Sequence, residues 1–175
     1  MKQQIDALMQ QNGADALWIS GAGQHNSAMV YFTGIAHLTG ADLFVIPGRT
    51  PILCHGPMER DEAAKSGFQL ISYADYDLNA LIKETNGDLG LASALRYKQI
   101  LEGIGLTKGK VLLYGLRNVG PFLAVIQQLQ KLLPELELTG DVNDVILLEA
   151  RATKDEDEMD RIRAMGQLTT RVVGN

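Results

Sequence analysis

The residues of this sequence with chemistry to offer are His25, His37, His55, the single cysteine Cys54 and two glycine-rich stretches. A metal centre needs several ligands converging on one point. The three histidines show no close ligand spacing. Cys54 and His55 are adjacent, and adjacent side chains on a strand point to opposite faces, which separates them both as co-ligands and as a nucleophile–base pair. His25 or His37 could meet Cys54 only through the fold; otherwise Cys54 reads as a small buried apolar residue. Gly21-Ala22-Gly23 follows an apolar run, as a dinucleotide-binding turn does, but the third glycine of that pattern falls on Asn26. Gly109-Lys110 looks like the end of a phosphate-binding loop. Val111 stands where that loop needs Ser or Thr, and the pair precedes a strand instead of following one.

What remains is the polar stretch 21–29, long for a link between a strand and a helix. Such loops carry function more often than the elements they join. His25 and Asn26 are its hydrogen-bonding groups. The stretch reads either as a solvated connection or as a loop reaching toward another surface. Met29, Tyr31 and Phe32 read as core, or as an apolar patch used in subunit contact.

The elements that must position these residues alternate along the chain. Ile5, Leu8 and Met9 mark one face of a short helix stopped by Gly13. Residues 16–20 (ALWIS) form a buried strand. Residues 42–46 and 51–54 are two strands of a hairpin across Pro47-Gly48-Arg49-Thr50. A helix over 58–66 stops at Gly67, a strand follows over 68–72, and a helix over 77–84 takes Asp77 as its N-cap. A longer helix over 91–102 is stopped by Gly103. The strand 110–114 leads to a helix over 121–133 with Pro121 in its first turn, where the missing N–H costs nothing. A short strand (136–139) and a helix (142–148) follow. This alternation predicts an α/β fold: a mixed β-sheet flanked by helices.

The totals narrow the class. The 175 residues suit one domain with a real core. A net charge of −5 leaves no basic stripe for phosphates, which argues against nucleic acid as a partner. No apolar run approaches a membrane span, and the N-terminus lacks the pattern of a signal peptide. One cysteine permits no internal disulfide, so a cytoplasmic location is expected.

The last stretch carries an amphipathic helix. Four acids, Asp155 to Glu158, crowd its positive end. Met159, Ile162, Met165, Leu168 and Val172 then recur at helical spacing, and Asp157 and Arg161 stand four apart and can pair. An apolar stripe needs a partner surface. Either the helix packs back on the preceding residues, or it belongs to a domain outside this chain; we expect the second.

Three local patterns resemble the N-terminal domain of the creatinase/prolidase family, the metallopeptidases that include Xaa-Pro dipeptidase and aminopeptidase P. The first is Ala14-Asp15-Ala16-Leu17 followed by Asn26 and Tyr31-Phe32-Thr33-Gly34. The second is Pro51-Ile52-Leu53-Cys54 followed by Met58-Glu59-Arg60-Asp61-Glu62-Ala63. The third is Arg151-Ala152-Thr153-Lys154 with Glu158 and Arg163, similar to the seam where the family's N-terminal domain hands over to its catalytic one. The chain departs from the family in the longer loop between Asn26 and Tyr31, in Phe32 for leucine and in Thr153 for isoleucine. The resemblance implies a ribonuclease-H-like α/β fold, with residues 1–150 as the N-terminal domain and 151–175 as the linker and first helix of a catalytic domain outside this chain. It implies a homodimer in which His25, Asn26 and Tyr31 shape a partner subunit's substrate site. The family's two divalent metal ions (manganese, cobalt or zinc) sit on two aspartates, a histidine and two glutamates of the catalytic domain, so no cofactor is expected in this chain. The parent enzyme would hydrolyse the bond before proline, or creatine in a creatinase-type relative. A stand-alone ligand-binding or assembly module of the same fold is the other expectation.

Overall fold

The computed structural model describes residues 4–34, 37–154 and 156–174, and all of their side chains except that of Asp157. In chain order the elements are α1 (Ile5–Gln11), β1 (Ala16–Gly21), α2 (Ser27–Thr33), β2 (Ala41–Val45), β3 (Ile52–His55), α3 (Arg60–Ala64), β4 (Gln69–Ser72), α4 (Leu78–Glu84), α5 (Leu89–Ile104), β5 (Gly109–Leu116), α6 (Val119–Leu132), β6 (Leu136–Gly140), α7 (Val145–Ala152) and α8 (Glu156–Val173). The six strands form one sheet in the order β4-β3-β2-β1-β5-β6. β1 and β2 pair antiparallel, as do β2 and β3; β3–β4, β1–β5 and β5–β6 pair parallel. This is the mixed sheet that the alternation predicts, and the hairpin joins β2 to β3.

β1 is buried along its whole length because helices cover both faces of the sheet. Successive side chains go to opposite faces. Leu17 and Ile19 pack with Met9 of α1, Met29 of α2 and Leu147 of α7. Trp18 packs on the other face with Tyr97 and Ile100 of α5 and Ile126 of α6. Its ring centroid lies 4.9 Å from that of Tyr97, 5.2 Å from Phe44 and 5.8 Å from Phe122.

Several predicted boundaries move. The helix expected over 91–102 starts at Leu89, where Asp88 caps it by accepting from the Leu91 N–H. It runs through Gly103 and stops at Gly105, whose φ of +73° makes the left-handed turn, with Leu106 N–H returning to the Leu101 carbonyl. Asp77 caps α4 as expected, accepting from Asn79 and Ala80. The helix expected over 58–66 is a 3₁₀ turn (Pro57–Glu59) followed by α3. The helix expected over 142–148 begins at Val145, and Val142 is exposed. The stretch 21–29 is shorter as a link than its sequence suggests, because α2 already begins at Ser27.

α8 does not pack back on the sheet: from Asp160 onward every described residue is exposed, including Ile162, Met165, Leu168 and Val172. Asp155 and the side chain of Asp157 lie outside the described residues, and with them the expected pairing to Arg161; a neighbouring pair, Arg163 to Asp160 at 2.8 Å, is present.

Candidate functional site at the β1–β5 crevice

The chain leaves β1 through α2 on one face of the sheet and leaves β5 through α6 on the other. Because β1 and β5 are adjacent and parallel, their carboxyl ends open a crevice between two diverging connections. In open α/β sheets this is where ligands bind. A cavity of about 470 Å³ occupies that position. The end of β5, the loop before α2, the first half of α6 and one side of α7 line it. Leu113, Phe122, Ile126 and Leu147 supply its apolar surface, and His25, Arg117, Asp144 and Arg151 its charged or titratable side chains.

Arg117 is held from behind. Its Nε donates to Ser20 Oγ at 2.8 Å and its Nη2 to Asp42 Oδ2 at 3.3 Å. Asp42 is fully buried and sits on β2 between Ser20 and Cys54 in the sheet register. A buried carboxylate is tolerable only if its lone pairs are filled. Here Trp18 Nε1 donates to it at 2.7 Å and the Tyr97 hydroxyl at 2.9 Å, and the hydroxyls of Ser20 and Tyr73 donate as well. Burial and then the Asp42 charge push both tyrosines well above their ordinary range. Burial works against the Arg117 charge, but Asp42, Tyr97 and Tyr73 together outweigh it and hold the guanidinium above its ordinary value. Arg96 lies over the Tyr73 ring at 4.9 Å, with its buried Nε lacking a hydrogen-bond partner.

The residues singled out in the sequence separate in space. His25 lines the cavity and is exposed, with a φ of +60°. Asn26 also lines it but is buried, and both ends of its amide are engaged: it donates to the Ser20 carbonyl at 3.1 Å and accepts from Met29 N–H at 3.2 Å, capping α2. Tyr31 stands on the other side of α2. Its hydroxyl donates to the Ala150 carbonyl at 2.8 Å, tying α2 to α7, and its ring meets Phe32 edge-on. His37 is exposed. His55 is buried, and its Nδ1–H donates to the Gly56 carbonyl at 2.7 Å. Cys54 is fully buried, and burial first, then Asp42, pushes its thiol pKa up. Among the described residues no three His, Cys, Asp or Glu side chains are grouped to hold a metal ion.

Asp42 and Arg117 are not among the residues that the sequence singles out. Their signals are faint but real: an acid inside an otherwise apolar strand, on the same alternating face as Phe44, and an arginine immediately after a strand.

No protein-family model matches the chain, and no match is found among curated proteins. Solved structures do match. A creatinase/prolidase N-terminal domain of an X-Pro dipeptidase from Streptococcus pyogenes aligns over 82% of this chain and 95% of its own, at 16% identity and a TM-score of 0.55. An X-Pro aminopeptidase from Thermotoga maritima aligns over 91% of this chain at 16% identity and TM-score 0.58. A dipeptidase from Pyrococcus horikoshii aligns over 90% at 17% identity and TM-score 0.56. The chain spans 38% of the length of each of the last two. The sheet order, the helices on both faces and these alignments agree: this chain has the fold of a creatinase/prolidase N-terminal domain.

Proposed function

We propose that this chain is the non-catalytic N-terminal domain of a Xaa-Pro dipeptidase-like metallopeptidase. The observation that supports the reading is an alignment that covers 95% of a solved N-terminal domain, together with coverage of only 38% of a longer peptidase. The parent enzyme hydrolyses peptide bonds before proline, with two divalent ions (manganese, cobalt or zinc) held outside residues 1–175. The described residues here do not fit such a centre, since they gather no ligand set, and no step of the reaction is assigned to them. Their work is association and shaping: α8 offers an exposed apolar stripe, and the loop bearing His25 reaches a neighbouring subunit's substrate site in a homodimer. Asn26 and Tyr31 act behind it, by capping α2 and tying it to α7.

The purified 1–175 chain is therefore expected to show no manganese- or cobalt-dependent cleavage of a Xaa-Pro dipeptide. Clear metal-stimulated cleavage by this chain, free of contaminating protease, overturns the assignment. The cavity at the crevice supports a second reading, a ligand-binding module of the same fold.

A further inference from the structure

The charged groups around the crevice cavity come in opposite signs. Arg117 and Arg151 line it with Asp144, and Asp42 pairs with Arg117 at 3.3 Å. A site for a simple anion would set no carboxylate in its wall; here Asp144 stands in the same wall as the two arginines. It also keeps hydrogen-bonding capacity of both kinds. Arg117 spends Nε and Nη2 on Ser20 and Asp42, and Arg151 spends Nε on the Leu147 carbonyl and Nη1 on Ser27 Oγ at 2.7 Å. That leaves Nη1 of Arg117 and Nη2 of Arg151 with no partner among the described residues. Asp144 is exposed and its carboxylate caps no helix, although it stands at the N-cap of α7. Between these poles lies the apolar surface of Leu113, Phe122 and Ile126.

The backbone adds an independent observation. Among the described residues only His25, Asn86 and Asp144 adopt positive φ without being glycine, and His25 and Asp144 both lie on this cavity. Such conformations are uncommon and gather at ligand sites. The volume is within the range of small-molecule sites.

We propose that the crevice binds a small zwitterion with an apolar side chain, a free α-amino acid of the leucine type. Arg117 and Arg151 take its carboxylate, Asp144 takes its ammonium group, and the side chain lies against Phe122 and Ile126. Asp42 is a positioning residue: it fixes the Arg117 guanidinium from behind. This site lies within one chain and is independent of whether the chain belongs to a peptidase.

The test is titration of the ¹⁵N-labelled 1–175 chain with L-leucine, followed by amide shifts. Saturable shifts are expected at Gly115, Arg117, Gly120, His25 and Ser27, with a dissociation constant on the order of 1 mM, and none at the distant Gly67 and Gly87. N-acetyl-L-leucine lacks the ammonium group and L-leucinamide lacks the carboxylate; each is expected to bind at least tenfold more weakly. Asp144→Asn suits the test because Asn tolerates the positive φ, and Arg151→Gln leaves the Asp42–Arg117 pair intact. Both variants are expected to keep the folded spectrum and to weaken leucine at least tenfold. No saturable shift with leucine overturns the proposal. Equal binding of either leucine derivative also overturns it, and it does so even where a variant fails to fold.

Discussion

Asp42→Asn is the sharpest probe of the network behind the crevice. The substitution keeps the shape and one oxygen, which can still accept from Trp18 and Ser20. It replaces Oδ2, the atom facing Tyr73, Tyr97 and Arg117, with an NH₂ group. The tyrosine hydroxyls can turn and accept from it, so their loss is small, about 1 kcal/mol in all. Arg117 cannot accept; donor then faces donor, and the guanidinium loses its counter-charge. Breaking a buried pair from one side costs about 3–5 kcal/mol. The Arg117 side chain keeps 32% of its exposure while Asp42 keeps none, so water recovers part of that loss. The expected destabilisation is about 3–4 kcal/mol. In urea, with a slope of roughly 2–3 kcal/mol per molar, the midpoint falls by roughly 1.5 M. Asp61→Asn on the exposed side of α3 is the control and leaves the midpoint unchanged. A shift for Asp42→Asn below roughly 0.4 M would refute the reasoning, because the carboxylate would then not be carrying the Arg117 charge.

Three further expectations follow from the same structure. Tyr73 and Tyr97 are raised by burial and by Asp42, so their contribution is fully present below the ordinary value of 10.0 and is lost as pH climbs through the folded values. Stability should therefore decline above that pH by about 1.4 kcal/mol per unit for each tyrosine, and Tyr73→Phe should flatten the decline; an unchanged slope contradicts the assignment. Gly115→Ala should destabilise by at least about 3 kcal/mol by chemical denaturation, because φ is +111° and the added Cβ meets the Ser20 carbonyl oxygen at 2.0 Å; a near-neutral result contradicts the β1–β5 register. The chain is expected to sediment as a dimer at roughly tens of micromolar, a range in which modest interfaces persist. Comparing lengths 1–154 and 1–175 assigns the contact to the sheet domain if both dimerise or to α8 if only the longer does, and monomers at both lengths contradict self-association.

The first three strands were legible because each is a short, mostly apolar run buried along its length, and ALWIS could be little else. Helix ends were less legible. Gly103 looks like a stop, yet the chain continues until Gly105, where Leu106 can enter the core behind the left-handed turn. Asn26 is a capping residue by type, but its place before α2 was hidden by the polar stretch around it. The crevice was the least legible part. Asp42 draws its partners from Trp18, Ser20, Tyr73, Tyr97 and Arg117, on three strands or their ends and on α5, and no local pattern links positions so far apart. The family resemblance reached the fold through local motifs and passed over this network, because Asp42 and Arg117 lie outside those motifs.

The central claim is that this fold serves a Xaa-Pro peptidase without doing its chemistry. The most direct measurement is a paired assay of the natural-length gene product and the 1–175 chain. Each is given a Xaa-Pro dipeptide, a longer Xaa-Pro peptide and creatine, with and without a chelator. The account predicts chelator-sensitive cleavage before proline by the natural-length product and none by 1–175. Failure of the natural-length product on both proline substrates, or activity in 1–175 alone, would contradict it.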